Sequence, residues 1–447
     1  MLLIYAKATG SPKDSGNLCD WTLKPLLAQY KHLKIPVFCQ IALCDQELKK
    51  DEGKFKWVGQ TPTNEKKPWW RFKANNIGLL SDVSKGVGPN SGEETELGQP
   101  KALQEFLEWA NSQNKNTLKD QHLIFWGHGG GWRGTVILAI QTLNMPNWLD
   151  VFINHSAKAI RVPLSLKENG ATGRGDLLGD NSSLQTREIA GVVEEFFSNN
   201  EKDARLGFVG FHSCLLATIE VAYDLRKSAK YVLASPDFVY YNEVPYADWL
   251  IESTTGSASS APEFCLPLFQ LLNVKKGPAS FFLIDLGKVE AIKEAVDKFC
   301  SAVQMLTPSD AVELRKSIVS TRNSAYTFGG EYSRTVDLGQ FFNALAATSD
   351  KFPTIQRAAL SVEHTARASI VMNCRYLNNA IAALTPPIAG IAIFFPATKS
   401  DASKTIGFDD GWYDPKGDGS ASTFIDESCW RSFLDWYWDE TSTIKCP

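Results

Sequence analysis

The chain of 447 residues lacks the marks of several large protein classes. Nine cysteines are scattered from Cys19 to Cys446 without one Cys-x-x-Cys pair, so neither a disulfide framework nor a zinc ribbon is expected. The longest apolar runs, Leu206–Phe211 and Pro387–Pro396, are strand-sized. They fall well short of the roughly eighteen residues of a membrane span. Positive charge is not in excess: 46 Lys and Arg stand against 50 Asp and Glu, a net charge of −4. A basic stripe, and with it a nucleic-acid partner, is not expected. Glycine (32) and proline (21) are too few for a collagenous or linker-dominated chain. The N-terminus has a short apolar start before Lys7, with neither a charged n-region nor a long h-region. A soluble, cytoplasmic protein is the expectation, unless a leader has been removed.

What is present points to an α/β protein. Hydrophobic residues make up 44% of the chain, enough for a large core. Leu2–Tyr5, Pro36–Leu43, His122–Trp126, Leu206–Phe211 and Tyr231–Ala234 are short apolar runs that predict strands. Gln99–Asn111, with Leu103, Phe106, Leu107 and Ala110 at helical spacing, predicts a helix, as does Thr218–Ser228. Continuous apolar strands alternating with helices predict a mainly parallel sheet covered on both faces. Residues 1–290 are expected to form this sheet domain, with a polar surface insertion at 45–100 and an exposed basic loop at 145–184. Residues 291–447 are more helical and are expected to form a subdomain packed on the first. The spacing there predicts helices over Leu286–Met305, Ala311–Ile318 and Thr354–Cys374, a strand over Ile388–Pro396 and a terminal helix over Phe424–Trp438.

Ligands of open parallel sheets bind beyond the carboxyl ends of the strands. Two reactive side chains fall at such ends. The 122–127 run leads into His128-Gly129-Gly130-Gly131-Trp132, and the 206–211 run into His212-Ser213-Cys214. If these strands are neighbours, His128 and Cys214 meet at one edge. A thiol must lose its proton to attack a carbonyl, and a nearby imidazole and the start of a Leu215–Ser228 helix would both favour the thiolate. The N–H groups of Gly129 and Cys214 are the expected oxyanion donors. Glycines after His128 let backbone approach a substrate closely. A zinc site using His128, His212 and Cys214 is a competing arrangement of the same residues, without HExxH-type spacing to support it.

The segments 126–132 (WGHGGGW) and 214–222 (CLLATIEVA) resemble the two catalytic blocks of the clostripain family of cysteine peptidases. Leu97-Gly98-Gln99-Pro100, Leu283-Ile284-Asp285-Leu286, Val336-Asp337-Leu338, the 390–396 segment and Trp430-Arg431-Ser432-Phe433-Leu434 resemble other segments in the same order. The resemblance implies a caspase-like (caspase-haemoglobinase) fold, a Cys214–His128 dyad, a protein or peptide substrate and no cofactor for the chemistry itself. The alternative is a silent scaffold of the same fold. Ser213, Ser235 and Asp237 join His212 as expected substrate-binding residues. His212 departs from the family, which has Asp two residues before the nucleophile to receive a basic P1 side chain. Asp180, Asp237, Glu243 and Asp248 are the acids that could supply the missing charge. Self-cleavage between the two blocks would fall at Lys167 or Arg174. Calcium, often required in the family, would be held by the acidic, turn-rich 409–418 segment at Asp409, Asp410 and Asp414, although EF-hand spacing is missing and turns with solvated aspartates are the plainer reading.

Overall fold

The fold is described from a computed structural model over residues 1–8, 18–29, 32–33, 35–43, 46–51, 54–59, 69–74, 81–86, 98–113, 121–129, 135–137, 183–200, 204–239, 244–255, 260–275, 280–329, 334–374, 387–403, 422–439 and 441–447. Lys167, Arg174, Asp180, Glu243, Asp409, Asp410 and Asp414 lie outside them.

In chain order the strands are β1 (Leu2–Ala8), β2 (Val37–Leu43), β3 (Gln46–Asp51), β4 (Lys54–Gly59), β5 (Trp69–Ala74), β6 (Ser81–Gly86), β7 (His122–Trp126), β8 (His128–Gly129) and β9 (Thr135–Ile137). Then come β10 (Ser183–Gln185), β11 (Leu206–His212), β12 (Ala229–Ala234), β13 (Phe282–Asp285), β14 (Thr327–Phe328), β15 (Thr335–Asp337), β16 (Ile370–Asn373) and β17 (Ala392–Phe394). The central sheet has nine strands in the order β16-β13-β12-β11-β7-β1-β2-β5-β6. The five from β12 to β2 pair in parallel, and β13 and β5 run against them. Within 45–100, expected as surface elaboration, β5 and β6 extend this sheet, and β3 and β4 form a separate antiparallel pair.

Side chains alternate across the sheet. Leu3, Tyr5, Leu123, Phe125, Val209, Phe211, Val232 and Ala234 enter one core layer; Leu2, Ile4, Ile124, Trp126, Phe208 and Leu233 enter the other. Burial on both faces is why these strands are apolar throughout. The first layer is covered by α1 (Pro100–Gln113), α2 (Thr186–Asn200), α3 (Ile219–Asp224) and later helices, the second by α4 (Tyr246–Thr255), α5 (Ala261–Lys275) and the Leu18–Leu33 stretch.

The C-terminal half adds α6 (Val289–Gln304), α7 (Pro308–Ser324), α8 (Leu338–Ala347), α9 (Pro353–Ala368) and α10 (Trp430–Trp438). The helix expected over Thr354–Cys374 is α9 followed by strand β16. Ser369 Oγ donates to the Ala366 carbonyl and closes the helix, and the β-branched Ile370-Val371 pair continues as a strand against β13. The expected 388–396 strand is regular only over β17, which pairs with β15. Asp337, at the start of α8, accepts hydrogen bonds from the N–H groups of Gln340, Ala389 and Gly390 at 2.7–2.8 Å. It thereby joins the helix cap to the segment entering β17. Gly390 adopts φ +107° with the Phe282 ring against its α-carbon, which leaves no room for a side chain.

A disulfide is present despite the sequence expectation. Cys429, the N-cap of α10, is bonded to Cys446, which the chain brings back along the helix as Lys445 N–H donates to Ser432 Oγ and Ile444 is buried. Spacing alone could not pair two of nine scattered thiols. Cys39, Cys265 and Cys300 are buried free thiols, as core filling requires. Closing a loop with a separation of 17 residues is worth about 3 kcal/mol in the chain-entropy account. Cys446→Ser is therefore expected to lower the thermal midpoint, and reductant to lower the wild-type midpoint equally while leaving the variant unchanged. Calorimetry with and without dithiothreitol checks this.

Candidate active site

The residues at the carboxyl edge of the sheet are placed by the pairing of β7 with β11. The two strands are parallel, with Phe125 beside Phe211 and Trp126 beside His212. Gly127 N–H donates to the His212 carbonyl at 3.4 Å, continuing the ladder one step. His128 stands two residues beyond Trp126, and Cys214 two residues beyond His212. Paired parallel strands lie about 4.8 Å apart, so the chains that carry His128 and Cys214 leave the sheet as neighbours at one edge. His128 and Gly129 then form β8, paired with β9 in a small sheet separate from the central one. The His128 side chain is outside the described part.

Cys214 is half-buried in a sharp turn. Leu215, the next residue, has φ +66°, a left-handed backbone that an L-residue with a large side chain adopts only under constraint. The constraint is visible on both sides. Leu215 N–H donates to the Asp237 carbonyl (3.1 Å), Ala217 N–H to the Ser235 carbonyl (3.0 Å), and the Ala217 carbonyl accepts from Ala392 N–H (2.9 Å). The Cys214 turn is thus held between the loop after β12 and the edge of β17. Thr218 Oγ1 caps α3, which starts at Ile219. The helix expected to begin at Leu215 is interrupted by extended backbone, so its N-terminus lies too far along the chain to act strongly on the sulfur. A different donor takes that place: Val239 N–H points at Cys214 Sγ at 3.3 Å. The Cys214 thiol also lies 3.7 Å from the Val239 carbonyl, to which it can donate, so both backbone groups of Val239 hold the sulfur in place. Val239 carries no sequence signal, since it acts through its backbone.

The expected substrate-binding residues divide. His212 is buried in the second core layer, its Nδ1 3.1 Å from the Tyr246 hydroxyl and its ring packed edge-on against Trp126. The space between His212, Tyr246, Leu233 and Trp249 is about 10 Å³, barely enough for one water. Cys214 packs against the first core layer, so His212 and Cys214 do not form the shared ligand set that a zinc site would need. Ser213 Oγ is buried without a hydrogen-bond partner among the described residues. Ser235 is fully buried; its Oγ donates to the Asp237 carbonyl and accepts from Asp237 N–H, which shapes the loop. The carboxylate of Asp237 accepts from Phe238 N–H (2.9 Å) and from the Tyr326 hydroxyl (3.3 Å). Of the other acids considered, Asp248 lies on α4. No group of three or more metal-ligating side chains occurs among the described residues.

The sequence profile described as the clostripain family matches residues 175–438, an interval that includes Cys214 and begins after His128. No curated protein matches the chain. Among solved structures, an inactive zymogen C11 protease from Parabacteroides distasonis is similar at 13% identity and a TM-score of 0.52, over 98% of this chain and 96% of that one. A secreted C11 cysteine protease from Bacteroides thetaiotaomicron is similar at 13% identity and a TM-score of 0.53, over 97% and 98%. A structure of a secreted C11 cysteine protease from the same organism, in complex with an irreversible peptide inhibitor, matches at 12% identity and 0.51, over 95% and 98%. At such identities the likeness is one of fold, the caspase-like α/β arrangement that the resemblance implied.

Two buried carboxylates on α3 fasten the Cys214 turn from behind. Glu220 Oε1 accepts from Phe394 N–H at 3.0 Å, and burial pushes its pKa up to about 7. Asp224 is pushed up to about 6 by burial, against the hydrogen bonds of Thr423, Thr186 and Ser422. A carboxyl whose pKa rises on folding holds its proton more tightly in the folded state. The stability it contributes is complete below the unfolded value and is lost as pH rises through the folded one. For Glu220 that window runs from 4.5 to about 7. Glu220→Gln keeps the acceptor for Phe394 and removes the titration. Urea denaturation across pH ~5 to ~8 is expected to show the variant gaining stability over wild type as pH rises; parallel profiles would contradict the account.

Proposed function

The chain belongs to the clostripain family, and from that premise we propose that this cysteine peptidase performs limited proteolysis with Cys214 as nucleophile and His128 as general acid and base. The observation that carries the reading is the in-register pairing of Trp126 with His212, which sends both backbones out at one sheet edge. A peptide docks along that edge, and the Cys214 thiolate attacks the scissile carbonyl carbon. The oxyanion that forms is held by the N–H groups of Gly129 and Cys214, each worth about 3–4 kcal/mol in the transition state. The C–N bond breaks as the imidazolium of His128 gives its proton to the leaving amine. Water, deprotonated by the same imidazole, then releases the acyl group and restores the thiol.

The P1 preference we propose is neutral. Position 212 offers an imidazole engaged by Tyr246 in a closed apolar layer, and Asp237 spends its carboxylate on Phe238 N–H and Tyr326. Between these two described residues no carboxylate is left to clamp a guanidinium in the bidentate way that makes arginine recognition strong. On this reading Lys167 and Arg174 are poor self-cleavage sites. No step of the chemistry runs through a cation; calcium at Asp409, Asp410 and Asp414 would act on the fold of that segment. The Cys429–Cys446 bridge favours an oxidising compartment, and hence a secreted form, over the cytoplasmic expectation.

Cys214→Ala is expected to abolish turnover of a peptide library and labelling by peptidyl acyloxymethyl ketones, and His128→Ala to reduce turnover by at least ~10²-fold. Retained turnover in Cys214→Ala rejects the assignment. In the same library, wild type is expected to cleave after neutral residues, and a dominant cleavage after arginine or lysine would reverse the P1 reading. Repeating the assay with a calcium chelator tests the calcium proposal, for which activity should fall and return on adding calcium.

A further inference from the structure

The histidine strand and the nucleophile helix are joined by a second route, away from the central sheet. After Gly127 the chain leaves that sheet and His128-Gly129 pairs antiparallel with β9, His128 opposite Ile137 and Gly129 opposite Val136. On its other side β9 pairs with β10, so that Ser183 is opposite Ile137 and Leu184 opposite Val136. Strands of two and three residues have little stability of their own. Their position depends on what holds the outer strand, β10. Leu184 is buried in the first core layer, and Gln185 N–H donates to Glu188 Oε2. The next residue, Thr186, is fully buried and its hydroxyl donates to Asp224 Oδ2 at 2.8 Å.

Asp224 is the last residue of α3, the helix that follows the Cys214 turn, and it is buried as well. Its other oxygen accepts from Ser422 Oγ (3.0 Å), Thr423 N–H (2.7 Å) and Thr423 Oγ1 (2.6 Å). A carboxylate filled by four donors from two distant segments is a rigid anchor. We propose that Asp224, acting through Thr186 and the β10–β9–β8 sheet, is a positioning residue that fixes the His128 strand relative to the Cys214 turn. This rests on the peptidase reading above. Neither residue touches the reacting atoms; the link sets where β8 lies, and a displacement of about 1 Å in a catalytic group is enough to cost up to ~10²-fold in rate.

The test compares Thr186→Val with Thr186→Ser, using the best peptide from the library as substrate. Thr186→Val is expected to lower kcat by about 10-fold with KM changed less than about 2-fold, and Thr186→Ser, which keeps the hydroxyl, to restore kcat. Ser422→Ala removes a donor on the far side of Asp224 from Thr186 and is expected to lower kcat less than Thr186→Val does. Full kcat in folded Thr186→Val overturns the proposal. So does an equal loss in Thr186→Val and Thr186→Ser, or a loss of kcat in Ser422→Ala as large as in Thr186→Val. Hydrogen exchange supplies a measure that needs neither turnover nor a folded Val variant: in wild type the amides of 135–137 and 183–185 should be protected to the level of the β7 and β11 ends, and free exchange there overturns the link. Absence of wild-type turnover and of Cys214 labelling would instead count against the peptidase reading, with the exchange result still deciding the link.

Discussion

The parallel pairing of β7 with β11 is the constraint on which the rest depends. It places Trp126 beside His212, so that the two chains leave the sheet as neighbours at one edge, with His128 two residues beyond one strand end and Cys214 two beyond the other. A slip of one residue in this register would turn every side chain of one strand to the opposite layer; a slip of β7 would place Phe125 where Ile124 or Trp126 belongs. Both faces are packed with large apolar groups, so a slip would cost far more than a single hydrogen bond. The points at which the two chains leave the central sheet are therefore fixed by the core.

Around that edge, strain is balanced by fastening. The left-handed Leu215 is tolerated because backbone hydrogen bonds reach the Cys214 turn from the loop after β12 and from β17. Behind it, Glu220 and Asp224 tie α3 to β17 and to the 422–423 segment. The C-terminal half, through Asp337, Trp430 and the Cys429–Cys446 bridge, holds β17 where the turn needs it: the Trp430 indole N–H donates to the Phe394 carbonyl in β17. Residues far apart in the chain thus build one wall of the site. This gives a physical reason for the Asp337 and Trp430 segments that the family resemblance brought forward without explanation.

Much of this was legible beforehand. The strands β1, β2, β7, β11 and β12 are continuous apolar runs, and such runs are apolar because both faces are buried; their order and length announce a parallel sheet and its carboxyl edge. Three kinds of feature were not legible. Backbone donors such as Val239 leave no trace in residue type. The switch from α9 to β16 depends on Ser369 and on β13 waiting to pair, which is tertiary information. The Cys429–Cys446 pairing and the His212–Tyr246 contact join residues whose spacing in sequence implies nothing about their distance. Strands β5 and β6 were hidden because polar residues are permitted at a sheet's outer edge.

The central claim is that an imidazole at 128 activates the sulfur at 214, and the pH dependence of Cys214 alkylation measures this most directly. Iodoacetamide incorporation at Cys214 would be followed as a function of pH in wild type and in His128→Ala, with Cys214→Ala subtracted to remove other thiols. The account predicts a wild-type reactivity that persists well below the free-thiol pKa of about 8.5 and a His128→Ala profile that moves up toward it. Superimposable profiles for the two proteins would contradict it.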